Sequence, residues 1–172
     1  MMTDEPLSIK ALNELDRTAF IARFGGVYER SPWVAEGAWA KHPFVDRATL
    51  ERAMREVVLG SGRARQLELL RMHPALGTRK ELSVYSRSEQ AGAGLLRAAE
   101  TERHELQTLN RSYEIKFGFP FILAVRDANL KTILDSCRTR LNRDFDAEFD
   151  ESLRQVFRIA GFRLGDLVTE GK

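Results

Sequence analysis

The last helix-length segment, about Asp146 to Val168, constrains the fold more than any other part of the chain. Phe149, Leu153, Val156, Ala160, Leu164 and Leu167 recur there at intervals of three and four residues. That period puts all six on one face of a long helix, and the face demands an apolar partner. The same period runs through most of the remaining sequence. Ser8 is placed to cap a short turn through Leu12. Asp16 is placed to cap a helix running to Phe24, which Gly25-Gly26 closes. Ser31-Pro32 pairs a capping serine with proline at the first helical position and opens a helix around Trp33 to Trp39. Asp46 caps a third helix, with Leu50, Met54, Val57 and Val58 on its stripe, that ends at Gly60.

A helix from about Gly62 to Met72 turns Leu67 and Leu70 inward, and Pro74 forbids its continuation. Gly77 to Tyr85 reads as loop. Ser86 starts a helix towards Ala99, and another covers about Thr101 to Phe117 with Leu106, Leu109 and Tyr113 in phase. Phe117 to Val125 is a continuous apolar run broken by Gly118 and Pro120, the one place where a strand is conceivable. Asn129 or Leu130 to Leu141 is helical again. No repeat, low-complexity tract or linker interrupts the series. The spacing predicts an all-α fold: a single compact helical bundle of about eight helices, with 1–172 as one domain.

At 172 residues the chain is long enough to bury a core without staples, since chains of this size bury roughly 70% of the unfolded surface. The single cysteine, Cys137, excludes an intramolecular disulfide framework and fits a reducing compartment. Twenty-seven basic residues stand against 25 acidic ones, for a net charge of +2. The basic cluster Arg63 to Arg71 is interrupted by Gln66 and Glu68. This near-balance argues against a nucleic-acid partner. No apolar run is long enough for a membrane span. The first residues carry Asp4 and Glu5 and lack a signal-peptide pattern, and Glu170-Gly171-Lys172 is not a peroxisomal address. The expected setting is cytoplasmic, with no membrane partner and a possible homodimer.

Three segments can carry chemistry. His73-Pro74 ends a helix, where the dipole favours a protonated imidazole and a group able to give or take a proton near neutral pH. The competing reading is a histidine that caps the last carbonyls. Ser86-x-x-Glu89 has the form of a capping box. With Gln90 it also gathers a hydroxyl, a carboxylate and an amide at a helix N-terminus, a natural anion site. Gly92 and Gly94 in that helix suggest either close approach of a backbone or ligand, or a helix contact. Phe117-Gly118-Phe119-Pro120-Phe121 is rigid and apolar, suited to a pocket wall or to a core connection. His42 and His104 have no partner at metal-ligand spacing, and paired-cysteine, phosphate-loop, dinucleotide and nucleophile-elbow motifs are absent. No metal and no organic cofactor are expected.

Five stretches occur in order: Phe24-Gly25-Gly26-Val27-Tyr28-Glu29-Arg30-Ser31-Pro32-Trp33; His73-Pro74-Ala75-Leu76-Gly77; Ser86-x-x-Glu89-Gln90-x-x-Ala93-Gly94-Leu95; Leu109-Asn110-x-x-Tyr113-x-x-Lys116 continuing through Phe121; and Ile159-Ala160-x-x-Arg163-Leu164. Together they resemble the OHCU decarboxylase family, enzymes acting on 2-oxo-4-hydroxy-4-carboxy-5-ureidoimidazoline. The resemblance spans about Leu12 to Val168. It implies an all-α fold and a carboxy-lyase that forms (S)-allantoin in the last step from urate, on a small ureide substrate and without cofactor. It implies His73 as catalytic acid with Glu89 beside it. Pro74, Ser86, Gln90, Phe119, Pro120, Phe121, Ile122, Leu123 and Arg163 would line the substrate. Ala75 departs from the acidic residue the family often has after His-Pro. The alternatives are a non-catalytic ureide-binding or pathway-partner module, and a decarboxylase of a related ureide.

Overall fold

Three of the first four helices begin where a side-chain oxygen accepts from a backbone N–H two or three residues into the helix. Helix α1 (Ile9–Asn13) starts at Ser8, whose Oγ accepts from Ala11 N at 3.2 Å. Helix α2 (Arg17–Phe24) starts at Asp16, which accepts from Ala19 N at 2.8 Å. Helix α4 (Arg47–Gly60) starts at Asp46, which accepts from Thr49 N at 2.7 Å. Helix α3 (Trp33–Ala38) breaks the pattern: no side chain caps it, and the Ser31 hydroxyl instead donates to the Glu29 carbonyl at 2.9 Å. A 3-10 turn, Trp39–Lys41, follows it. Then come α5 (Arg63–Met72), α6 (Val84–Gly92), α7 (Glu100–Phe117), α8 (Leu130–Arg140) and α9 (Phe145–Leu167).

The computed structural model describes residues 5–77, 84–94, 99–126 and 128–170. Among these, the nine α-helices bear out the all-α reading; the ninth is α1, which the sequence reads as a turn. The expected loop at Gly77 to Tyr85 falls largely on 78–83, outside the described residues, as does the proposed extension of α6 through 95–98. The strand conceivable in Phe117 to Val125 does not form. The strands that do form are two residues each, β1 (Leu7–Ser8) and β2 (Val168–Thr169), paired in parallel with Leu7 opposite Val168.

The chain divides into two compact units, Met1–Leu69 with Phe157–Lys172, and Leu70–Val156. In the first, Leu12, Phe20, Phe24, Phe44, Leu50 and Met54 are at most 2% exposed. Burying side chains of this size is worth ~1.5–3 kcal/mol each. Phe20 lies between Phe24 and Phe44, at ring centroid distances of 4.9 and 5.8 Å. Helices α3 and α4 approach closely at Gly37, where a Cβ would sit 2.8 Å from Val57 Cγ1. On α5 the inward pair is Leu69 and Leu70, not Leu67, which is only half-buried.

The second unit is built on one face of α7: Leu106, Asn110, Tyr113 and Phe117. Tyr113 and Phe117 join Phe119, Phe121, Phe145 and Phe149 in an aromatic cluster, most of whose contacts are edge-on or tilted. Gly118, at φ 76°, ends α7. That left-handed residue and Pro120 turn the apolar run away from strand geometry. Lys116 Nζ donates to the carbonyls of Leu141 and Arg143 at 2.5 and 3.0 Å, satisfying carbonyls beyond the end of α8.

Candidate functional site

Helix α5 stops at Met72, and His73 is the first residue beyond it. Its N–H still reaches Leu70 O at 3.3 Å, a tightened final bond that Pro74 cannot extend. His73 is 8% exposed and sits just beyond the C-terminal end of α5. Pro74 and Ala75 are half-buried. The chain then turns at Gly77, whose φ of 72° is open to glycine at no steric cost. Two side-chain amides clamp consecutive polar groups of this turn. Gly77 N donates to Gln90 Oε1 at 2.9 Å, and Leu76 O accepts from Asn110 Nδ2 at 2.7 Å. The turn carrying His73 is thereby tied to α6, which carries Glu89, and to α7.

Helix α6 begins at Val84, two residues before the expected start. Ser86 therefore sits inside the first turn and is not the residue preceding the helix, so the capping-box reading does not hold. Ser86 (5% exposed), Gln90 (2%) and Ala93 (8%) form the inward face, and Glu89 beside them is half-buried. The helix ends at Gly92, so neither glycine is interior. Among the described residues, a Cβ at Gly92 or Gly94 would meet nothing within 4 Å, so no backbone in them packs against either glycine.

Phe119 and Phe121 are fully buried, and each ring lies edge-on to Tyr113, at 5.9 and 5.3 Å. Their rings belong to the core. Pro120 and Ile122 are buried and Leu123 is half-exposed. Two residues absent from the sequence reading fix this segment's backbone. Arg140 Nη1 donates to Ile122 O at 2.7 Å, and Ala124 N donates to Gln155 Oε1 at 3.0 Å. Arg140 in turn reaches Glu148 from Nε at 2.5 Å and Ser152 from Nη2 at 3.1 Å, and its guanidinium lies 4.6 Å from the Phe121 ring centre. The Tyr113 hydroxyl also donates to Glu148. Burial, then the bond to Glu148, pushes the Tyr113 phenol well above its ordinary range, so it remains a donor. For Glu151, burial raises the pKa, but hydrogen bonds from Gln155 and Arg154 outweigh it and hold the carboxyl below its ordinary value. The available signal was polar residues in phase with apolar stripes: Arg140 with Ile133, Leu134 and Cys137, and Gln155 next to Val156.

Arg163 lies in α9, in the first unit. It is 1% exposed, and its Nη2 faces Glu29 Oε2 at 3.1 Å. Its Nη1 donates to the carbonyls of Val27 and Gly26 at 3.2 and 3.4 Å. The Gly-Gly-Val-Tyr-Glu stretch thus folds as a seat for this guanidinium. Arg158, five residues earlier, is exposed. No group of three or more histidine, cysteine or acidic side chains suited to a metal occurs among the described residues.

Comparison with known proteins covers nearly the whole chain. The chain is 42% identical over 161 residues to the 2-oxo-4-hydroxy-4-carboxy-5-ureidoimidazoline decarboxylase of Halalkalicoccus jeotgali, covering 94% of this chain and 92% of that one. The enzyme of the same name from Haloferax volcanii is 39% identical, over 93% of this chain and 95% of its own. A crystal structure of (S)-allantoin synthase superposes with a TM-score of 0.80 at 30% identity. That match covers 95% of this chain and 54% of the other. The OHCU decarboxylase profile matches residues 13–165. With its helical fold and five motifs in register, the chain belongs to the OHCU decarboxylase family.

Proposed function

We propose that this protein decarboxylates 2-oxo-4-hydroxy-4-carboxy-5-ureidoimidazoline to (S)-allantoin, the step that completes urate conversion, and that His73 and Glu89 carry the proton chemistry. The observation that carries the reading is the 42% identity to a decarboxylase of that name over 94% of the chain. The geometry supports it: the turn beyond His73 is bound through Gln90 to the helix that bears Glu89. The match to residues 13–165 runs through both units, which supports reading 1–172 as one domain. No described helix is long and apolar enough to cross a membrane, in keeping with the cytoplasmic setting we propose.

The substrate explains why no cofactor is called for. Its carboxylate leaves from a carbon adjacent to a ring C=N bond. The pair from the broken C–C bond forms a new C=C bond, and the C=N pair moves onto nitrogen, which takes a proton. The enol product then gains a proton at the ureido-bearing carbon as the hydroxyl loses its own and becomes the carbonyl. The substrate is its own electron sink. The protein has to orient the anion, move protons and select the face of protonation. His73 handles the hydroxyl or ring proton, and Glu89 orients it and favours its charged form. Ser86, Gln90, Pro74 and the backbone of Phe119 to Leu123 bind the ring and ureido arm. In this segment Leu123 offers open surface and the phenylalanine rings support it from the core. Arg163 stands apart from this set: its guanidinium is already held by Glu29 and by the Val27 and Gly26 carbonyls, so its support for the fold is the reading we keep.

The test is stereoselective product formation, followed by circular dichroism from freshly generated substrate, whose spontaneous decay gives racemate. A rapid (S)-allantoin signal, reduced ~10²–10⁴-fold by His73→Ala, is expected for a general acid–base group. A wild-type signal no faster than spontaneous decay overturns the function, and near-normal turnover by His73→Ala overturns the site.

A further inference from the structure

The helix α7 residue Asn110 has no part in the reading above, yet its placement is unusual. It is 6% exposed and lies on the face of α7 that meets the His73 turn. Its Nδ2 donates to Leu76 O at 2.7 Å. Its Oδ1 is buried and has no hydrogen-bond partner among the described residues. The Leu76 carbonyl needs a donor, so the amide cannot flip to relieve that oxygen. A buried acceptor left unbonded costs stability, and such a cost calls for an explanation. One turn earlier on the same face, Leu106 packs so closely against the turn that a Cβ on Gly77 would lie 2.8 Å from Leu106 Cδ2. Helix α7 therefore holds the turn at two points one helical turn apart, one apolar and one polar. Gln90 holds the adjacent N–H from α6. Between these anchors and His73 lie only Pro74, whose φ is locked by its ring, and Ala75. Few torsions remain through which the imidazole could shift.

We propose that Asn110 is a positioning residue for His73: its amide fixes the Leu76 carbonyl and so sets where the turn presents the imidazole. This rests on the assignment of His73 to the proton chemistry. Asn110 touches no reacting atom in this scheme. It acts through the backbone, as the orienting groups around other catalytic bases do through side chains.

The experiment compares Asn110→Ala, Asn110→Ser and His73→Ala, each assayed for (S)-allantoin formation at a temperature where far-ultraviolet dichroism shows native helix. Serine is too short to reach the carbonyl but retains a polar group, so it serves if the alanine variant does not fold. The expected result is at least a tenfold fall in kcat with KM within threefold of wild type. The chain has only three histidines, so His73 can also be followed by its own imidazole resonances. Its titration is expected to move in the Asn110 variants while those of His42 and His104 stay in place. A folded variant with wild-type kcat and an unmoved His73 titration overturns the proposal, leaving Asn110 a packing residue. An inactive His73→Ala beside an unimpaired Asn110 variant assigns the failure to this proposal; an active His73→Ala assigns it to the catalytic reading.

Discussion

The Arg163 guanidinium and the Glu29 carboxylate lie 3.1 Å apart, each side chain 1% exposed. A charge so far from water is tolerated because its partner and the Val27 and Gly26 carbonyls replace its hydration. Removing one member leaves the other uncompensated. We expect Glu29→Ala to lower unfolding free energy by ~3–5 kcal/mol in urea titrations, with Glu29→Gln milder because it keeps an acceptor. A loss below about 1 kcal/mol for the alanine variant would show that the pair contributes little to folding.

Two glycines should respond oppositely to the same substitution. Gly77→Ala places a Cβ 2.8 Å from Leu106 Cδ2 at a φ of 72°. The left-handed conformation alone costs an L-residue about 1–2 kcal/mol. We expect reduced stability and reduced turnover together, because the same turn carries His73. Gly92→Ala meets open space at the end of α6. It should be neutral or stabilising by up to ~1 kcal/mol. Thermal midpoints of the two variants check the contrast, and equal destabilisation would contradict it.

Cys137 offers a chemical probe. Burial pushes its thiol up to about 11, with Arg140 opposing the rise. At neutral pH it is a buried, protonated thiol, and the thiolate is the species that reacts. Iodoacetamide labelling of the native protein should therefore be slow and accelerate sharply across the urea transition. Labelling at the rate of an exposed cysteine in native buffer would contradict this placement.

Acid sensitivity follows from two carboxylates of α4, its cap Asp46 and Glu56 in its body. Hydrogen bonds from the Thr49 side chain and then its backbone hold Asp46 below the ordinary aspartate value, and a bond from Lys41 does the same for Glu56. A carboxyl whose pKa is lowered by folding stabilises fully above its unfolded pKa. That contribution is lost as pH falls through the lower, folded pKa. Stability should therefore decline once pH drops below the ordinary carboxylate range. Asp46→Asn, which caps without titrating, should flatten the acid limb of midpoint against pH. An unchanged slope would remove Asp46 from the account.

What the sequence made legible was whatever depends on period and local chemistry. The α9 stripe from Phe149 to Leu167 is buried throughout, Asp16 and Asp46 cap the helices assigned to them, and Ser8 caps α1 where a turn is read. Errors arose where a side chain had two local options. Ser31 could bond forward into α3 or back to Glu29 O, and the structure has the second. Ser86 matched a capping pattern, but α6 starts two residues earlier. The site residues were named from motifs, whereas the supports were illegible for a different reason. Asn110 to Leu76 spans 34 positions, Arg140 to Ile122 spans 18 and Ala124 to Gln155 spans 31, and no local pattern encodes such pairings.

The pairing of Leu7–Ser8 with Val168–Thr169 has a consequence for biosynthesis. The unit containing α1 to α4 includes residues from Phe157 onward, whereas Leu70–Val156 is continuous. The segment before Leu70 must wait for α9 to supply Arg163 to Glu29 and Val168 to Leu7. Until then Glu29 stays hydrated and part of the apolar surface around it stays uncovered. Loop closure over most of the chain then limits assembly of that unit. Residues made before the Leu70–Val156 unit complete their structure after it, and a nascent chain stalled before Phe157 would present them to chaperones and proteases.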